Sequence, residues 1–401
     1  MGGSMHKYVN AAVVYPLAFA QLILWGTIYF SFTLFISPMS GELGWSSSSI
    51  VSAFAISLAV SGFMSVPIGR WIDVHGGFWP ISVGTIFSTL AMIWWSRVDS
   101  YCEFVFIWVV MGVAMAAVLS QPVYAVFVYM FAEGGRKAVA MSSLATALSG
   151  SIFLPMGYQL MEYIDWRQIL LIFAALNFIC FLIHVKVIPR SRVDVIVDGE
   201  RRSEADRSLK RVWSVLGDGN FWCILTSFST NAAIATVLAV HLLPVLEMSG
   251  FQVGYVVVMM ALMGPIQIGV RFFMSRLELG RFDYILMGWV VMGAQAVALL
   301  ALTFGVVGRG WIGILLFMLL HGVASGALVI VRAAVTTDVF GNENYAIIQG
   351  FMQIPVMVAR AVAPLAAAFV IEINGYVWLV WGIVITSFIS LVSMLMVKRV
   401  G

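Results

Sequence analysis

GVAMAAVLSQPVYAVFVYMF (112–131) runs for 20 residues without a charge, and GVASGALVIVRAAVTTDVF (322–340) repeats it almost in register, 210 residues later. A helix of about 20 apolar residues crosses the hydrocarbon core of a bilayer. The pair therefore predicts two membrane spans related by duplication. FLPMGYQL (153–160) and VAPLAAAFV (362–370) repeat at the same offset of 209 to 210 residues, so the second half reads as a diverged copy of the first.

Outward from these stretches the same apolar pattern recurs. It predicts spans at 11–36, 48–69, 79–96, 103–131, 138–160, 168–188, 219–245, 252–275, 284–306, 311–336, 345–371 and 376–397, numbered here as helices 1 to 12. Composition requires this reading. The 401-residue chain is 62% hydrophobic and 10% charged, with a mean hydropathy of +1.00, whereas a soluble domain carries roughly 25% charged residues. The expected fold is an all-α polytopic membrane protein of twelve transmembrane helices in two pseudo-symmetric six-helix bundles. Met1 to Ser4 read as an expression scar ahead of a natural start at Met5, with no cleavable signal peptide.

Between the sixth and seventh spans lies the one long polar stretch, with thirteen charged residues from Lys186 to Arg211. Mixed charge of this density reads as a solvated linker. The organisation is then a bundle over 5–188, a cytoplasmic linker over 189–217 and a second bundle over 218–401. With both termini cytoplasmic, sixteen of the 22 lysines and arginines face inward and only Arg97, Arg167 and Arg309 outward, which satisfies the positive-inside rule. A bacterial inner membrane is the expected location.

Helix 2 is followed by GRWIDVHGG (69–77), in which Gly69, Asp73 and Gly76 fit GxxxDxxG. This resembles the loop signature between helices 2 and 3 of the major facilitator superfamily. The resemblance implies alternating access, with Gly69, Arg70, Asp73 and Gly76 acting as a conformational latch. The family usually continues with basic residues, where this chain has Phe78 and Trp79. SPMSGELGWSSSSI (37–50), joining helices 1 and 2, SGFMSVPIGRWID (61–73) and DWRQIL (165–170) together look like the bacterial monocarboxylate-porter and oxalate–formate exchanger branch. That branch carries an arginine in helix 8, where Arg271 stands. Its oxalate exchangers carry a lysine in helix 11, where Arg360 is the nearest match.

The remaining three arginines, Arg271, Arg332 and Arg360, fall inside spans, and none of the 19 acids does so near the midplane. Each arginine at a helix centre costs about 2.5–3.5 kcal/mol, so three deep, unpaired ones would cost roughly 8–10 kcal/mol. Arg271 and Arg332 lie nearer the cytoplasmic end, where long side chains snorkel. Asp338 is the one acid within reach of Arg332, and carbonyls released by Pro355 or Pro364 are the acceptors nearest Arg360. Either such groups satisfy the guanidiniums, or the cargo does. A guanidinium fork suits a carboxylate because it donates two parallel hydrogen bonds. Substrate contacts are therefore expected from Arg271, Arg360 and Arg332, with Tyr29, Gln121, Tyr124, Asn231 and Gln267 as further lining residues. Trp25 and Phe30 stand beside Tyr29 on helix 1.

With no membrane carboxylate to carry a proton, His241 and His321 are the titratable candidates for coupling. An anion exchanger would need neither. The expected function is secondary active transport of a small mono- or dicarboxylate, by exchange or proton symport. The alternative is movement of larger amphipathic or metal-chelating compounds. No HExxH, paired intramembrane aspartates or GxSxG points to an enzyme. Cys102, Cys180 and Cys223 have no metal-ligand spacing, and no cofactor, metal or nucleic acid is expected. The partners are the bilayer, a small anion and, in a symporter, protons; a monomer suffices. Pro122, Pro155, Pro355 and Pro364 are expected to kink their helices.

Overall fold

The computed structural model describes residues 10–131, 135–190, 216–276, 283–340 and 345–398. Among these residues every regular element is helical. Twelve helices among the described residues are long and apolar enough to span a membrane. Helix 1 is Ala11–Leu43, helix 2 Ser47–His75, helix 3 Phe78–Trp95, helix 4 Tyr101–Met130, helix 5 Gly135–Leu160 and helix 6 Trp166–Val187. Helix 7 is Gly219–Met248, helix 8 Val253–Arg276, helix 9 Tyr284–Gly308, helix 10 Trp311–Phe340, helix 11 Tyr345–Asn374 and helix 12 Tyr376–Leu395. The chain divides into two compact units, Met1–Val195 and Ile196–Gly401. Most of the expected linker, residues 191–215, lies outside the described residues, as do Met1 to Ser4.

The largest boundary correction concerns 37–50, read from sequence as a connection. Helix 1 runs through Pro38 to Leu43. Phe35, Ile36 and Met39 are all buried there, and this packing outweighs the low helix propensity of Pro38 and Gly41. Gly44, left-handed at φ 69°, closes the helix with its N–H on Ser40 O at 3.2 Å. Ser46 then caps helix 2, its Oγ accepting from the Ser49 N–H at 3.1 Å.

The duplication seen in the sequence reappears as one packing contact made twice. A Cβ added to Gly112 on helix 4 would lie 2.5 Å from Ser57 O on helix 2. A Cβ added to Gly322 on helix 10 would lie 3.0 Å from Ile266 Cγ2 on helix 8. Both members of the second pair stand 209 or 210 positions after the first. The first glycine brings backbone against backbone and the second seats the Ile266 side chain, close approaches of the kind membrane helices use where dispersion contacts hold them together.

Interruptions of the helices fall in the first unit. Trp25–Phe30 forms a π-helical turn inside helix 1, with the Ser31 N–H on Gly26 O at 3.0 Å. Helix 4 breaks at Leu119, which is extended (ψ 174°), and helix 5 breaks at Leu148. Helices 7 to 12 are each one uninterrupted element among the described residues, and helix 11 contains both Pro355 and Pro364.

Pro122 explains the helix 4 break. It has no N–H for Val118 O, and its ring crowds that carbonyl. Gln21 on helix 1 supplies the missing donor, its Nε2 reaching Val118 O at 2.6 Å. One turn further, Trp25 Nε1 donates to Ser120 Oγ at 2.9 Å.

A large aromatic core fills the first unit. Phe32, Phe54, Trp95, Trp108 and Phe104 stack or meet edge to face with centroids 4.5 to 6.3 Å apart. At one end of the unit, Arg167 of helix 6 pairs with Glu42 and Asp99, each at 2.9 Å, and donates to Ser96 O at 3.2 Å.

Candidate functional site

The second unit carries the three span arginines on neighbouring helices. Helix 10 seats Gly326 against the backbone of Gln267 on helix 8, where an added Cβ would lie 3.0 Å from Gln267 Cα and O. Arg271 follows Gln267 by one turn, with its Nη2 3.5 Å from Gln267 Oε1. Arg332 follows Gly326 by six residues. Its Nη2 donates to Gln353 Oε1 on helix 11 at 2.8 Å, and its guanidinium lies 5.5 Å from the Phe228 ring of helix 7. Asp338 does not pair with Arg332: it is exposed, and Gln353 takes the hydrogen bond instead.

Arg360 sits at the middle of the 30-residue helix 11. It is seven residues from Gln353, so the two share a helix face about 10 Å apart along the axis. Arg360 is half-buried, and among the described residues it makes no hydrogen bond or ion pair. The carbonyls that Pro355 and Pro364 leave without an intrahelical donor are not used by it. Arg332, bonded to Gln353, and Arg360 are thus offset by about 10 Å of depth along helix 11. Two like charges at that separation repel by about 1.7 kcal/mol at an effective dielectric of 20. An anion placed among them would relieve this.

The remaining residues singled out by sequence divide into two groups. Gln267 is half-buried beside Arg271. Asn231 is buried, its Nδ2 directed at Met292 Sδ of helix 9 at 3.6 Å. His241 is buried and its Nε2 lies 2.9 Å from Pro364 O, so that nitrogen carries the hydrogen and ties helix 7 to helix 11. His321 is half-buried and stacks on Phe317 with ring centroids 5.2 Å apart. Its Nδ1 lies 2.9 Å from Gln295 Oε1 and its Nε2 3.3 Å from Ser325 Oγ. Both imidazoles are therefore held by fixed hydrogen-bond partners.

In the first unit the π-turn brings Trp25, Tyr29 and Phe30 together as a half-exposed aromatic face, with centroids 5.2 to 6.2 Å apart. Gly150 on helix 5 leaves room for the Phe30 ring, which an added Cβ would meet at 3.3 Å. Through the Trp25 to Ser120 bond this face adjoins helix 4, where Gln121 is exposed and Tyr124 half-buried. Sequence reasoning missed Gln21 and Ser120. A lone glutamine in an apolar helix and a proline four residues after Val118 were the available signals.

At the signature loop, Gly76 takes φ 86° and its N–H closes on Ile72 O at 2.9 Å. This conformation strongly favours glycine. Gly77 N–H donates to Tyr129 Oη at 3.2 Å. Gly69 faces open space, so no close helix neighbour requires a glycine there. Arg70 is exposed, and the Asp73 side chain lies outside the described residues.

Comparison with known proteins agrees with this architecture. The sequence profile of the Major Facilitator Superfamily matches residues 17–319. Among solved structures, a variant of the nucleoside transporter NupG superposes with a TM-score of 0.75 at 15% identity, covering 97% of this chain and 100% of that one. A bacterial homolog of the human lysosomal transporter Spinster, inward-facing and unoccupied, superposes with a TM-score of 0.66 at 14% identity, covering 97% and 95%. No curated protein sequence matches the chain. Twelve spanning helices, the loop signature and a profile match over most of the length lead to one assignment: the chain belongs to the major facilitator superfamily of membrane transporters.

Proposed function

We propose that this transporter moves a small organic anion, a mono- or dicarboxylate, by alternating access. Arg360 carries the reading: a half-buried cation in mid-helix, with no hydrogen bond or ion pair among the described residues. A buried charge needs a counter-charge, and the cargo would supply it. Arg271, Arg332 and Gln267 would extend the anion's contacts, while Tyr29, Gln121 and Tyr124 would meet its body. Asn231 would act through its packing on helix 9, not by direct contact. Gly69, Arg70, Asp73 and Gly76 would govern the change between states. Exchange and proton symport both fit, with His241 and His321 as the titratable groups for the second. Bundles over 5–188 and 218–401, joined by a cytoplasmic linker in a bacterial inner membrane, complete the proposal, and the monomer is its working unit.

Counterflow into proteoliposomes, with mono-, di- and tricarboxylates as competitors, tests this. Competition by at least one carboxylate supports it. If nucleosides or neutral and cationic drugs compete and no anion does, the reading is wrong. The half-exposed aromatic face at Trp25, Tyr29 and Phe30 favours a second reading, a larger amphipathic or metal-chelating cargo, and the same panel separates the two.

A further inference from the structure

Outside the arginine-bearing unit, a groove of about 510 Å³ opens between helices 3 and 6 of the first unit. Helix 3 contributes Trp79, Val83 and Phe87, all exposed on the unit's outer surface, and helix 6 contributes Phe181 and Val185. The walls are apolar apart from two groups. Arg190, just past the end of helix 6, holds its guanidinium 5.6 Å from the Phe78 ring at the groove's end. Among the described residues it has no acidic partner. Ser82, one turn into helix 3 from Phe78, is buried and its Oγ has no hydrogen-bond partner. That hydroxyl is closed off by burial and offers no hydrogen bond to an occupant of the groove.

Cation and apolar walls occur in a definite order with depth. The cation is at the end of the helices, and the apolar walls continue along helix 3 for about 12 Å from Phe78 to Ile86. A diacyl phospholipid presents its groups in the same order: a phosphate head group, then hydrocarbon. Basic pockets between membrane helices are suited to anionic head groups.

We propose that this groove binds an anionic phospholipid of the adjacent leaflet. Its phosphate pairs with Arg190, and an acyl chain lies along Val83, Ile86, Phe181 and Val185. The site is distinct from the span arginines and independent of the cargo.

Native mass spectrometry of the full chain, released from bilayers of phosphatidylglycerol and phosphatidylcholine, tests the assignment. Wild type should retain one phosphatidylglycerol in preference to phosphatidylcholine. Arg190→Gln should lower its occupancy at least fivefold. Val83→Trp, which fills the groove and keeps the cation, should lower it similarly. Both positions are exposed, so an unchanged melting temperature serves as the folding control. Equal retention of the two lipids, or full phosphatidylglycerol occupancy in either variant, overturns the proposal. Displacement of the lipid by millimolar glycerol phosphate would also overturn it, because that would show a head-group site without the groove.

Discussion

Replacing Gln21 by leucine removes the only described donor to Val118 O, the carbonyl that Pro122 leaves unpaired. A buried carbonyl without a donor costs about 1–3 kcal/mol, while interhelical hydrogen bonds in membranes average about 0.6 and reach about 1.7 kcal/mol. The single substitution understates the effect. Gln21 Oε1 is itself buried without a partner, and leucine relieves that penalty. A double-mutant cycle removes this ambiguity, because the relief is common to both backgrounds. Pro122→Ala restores the N–H that Val118 O lacks, so Gln21→Leu should be milder there by about 1 kcal/mol. Reversible unfolding in mixed micelles, followed by tryptophan fluorescence, measures the four stabilities. If Gln21→Leu costs the same with proline or alanine at 122, the glutamine is not compensating for the proline and the explanation of the helix 4 break fails.

Other outcomes follow from the same geometry. Arg360→Gln should leave the melting temperature unchanged or raised and reduce counterflow at least tenfold; wild-type rates would remove Arg360 from the mechanism. Gly112→Ala should destabilise by about 1–3 kcal/mol, because its Cβ meets backbone at 2.5 Å, whereas Gly322→Ala meets the Ile266 side chain no closer than 3.0 Å and should cost less. Gly69→Ala, inside helix 2 with open space around it, should leave stability unchanged or raise it by up to about 1 kcal/mol. Arg167→Gln should cost no more than about 1–2 kcal/mol, since both carboxylate partners are substantially exposed. That loss should shrink in 1 M salt, where screening acts over roughly 3 Å.

The twelve spans were legible because apolar length is a one-dimensional property that lipid enforces directly. The duplication was legible in the alignment of the stretches that Gly112 and Gly322 open, but their contacts with Ser57 and Ile266 were not, because they depend on which helices pack together. The end of helix 1 was not, because Pro38 and Gly41 carry turn propensity while the packing of Phe35 and Met39 depends on distant residues. The arginines could be named from charge alone, but their partners could not. Asp338 was the nearest acid in sequence to Arg332, yet Gln353, from another helix, takes its hydrogen bond. Helical spacing likewise could not tell that the Asn231 amide turns toward Met292 or that His241 is fixed on Pro364 O. Such preferences are set by which helices become neighbours.

The interruptions in helices 1, 4 and 5 touch one another: Trp25 meets Ser120, and Phe30 lies against Gly150. They form one compliant node in the first unit, where no guanidinium of the three resides. Deformation within that unit should therefore concentrate at this uncharged node. Under the proposed anion reading, bulk attached to the cargo would be accommodated there, in the unit that carries none of the three arginines.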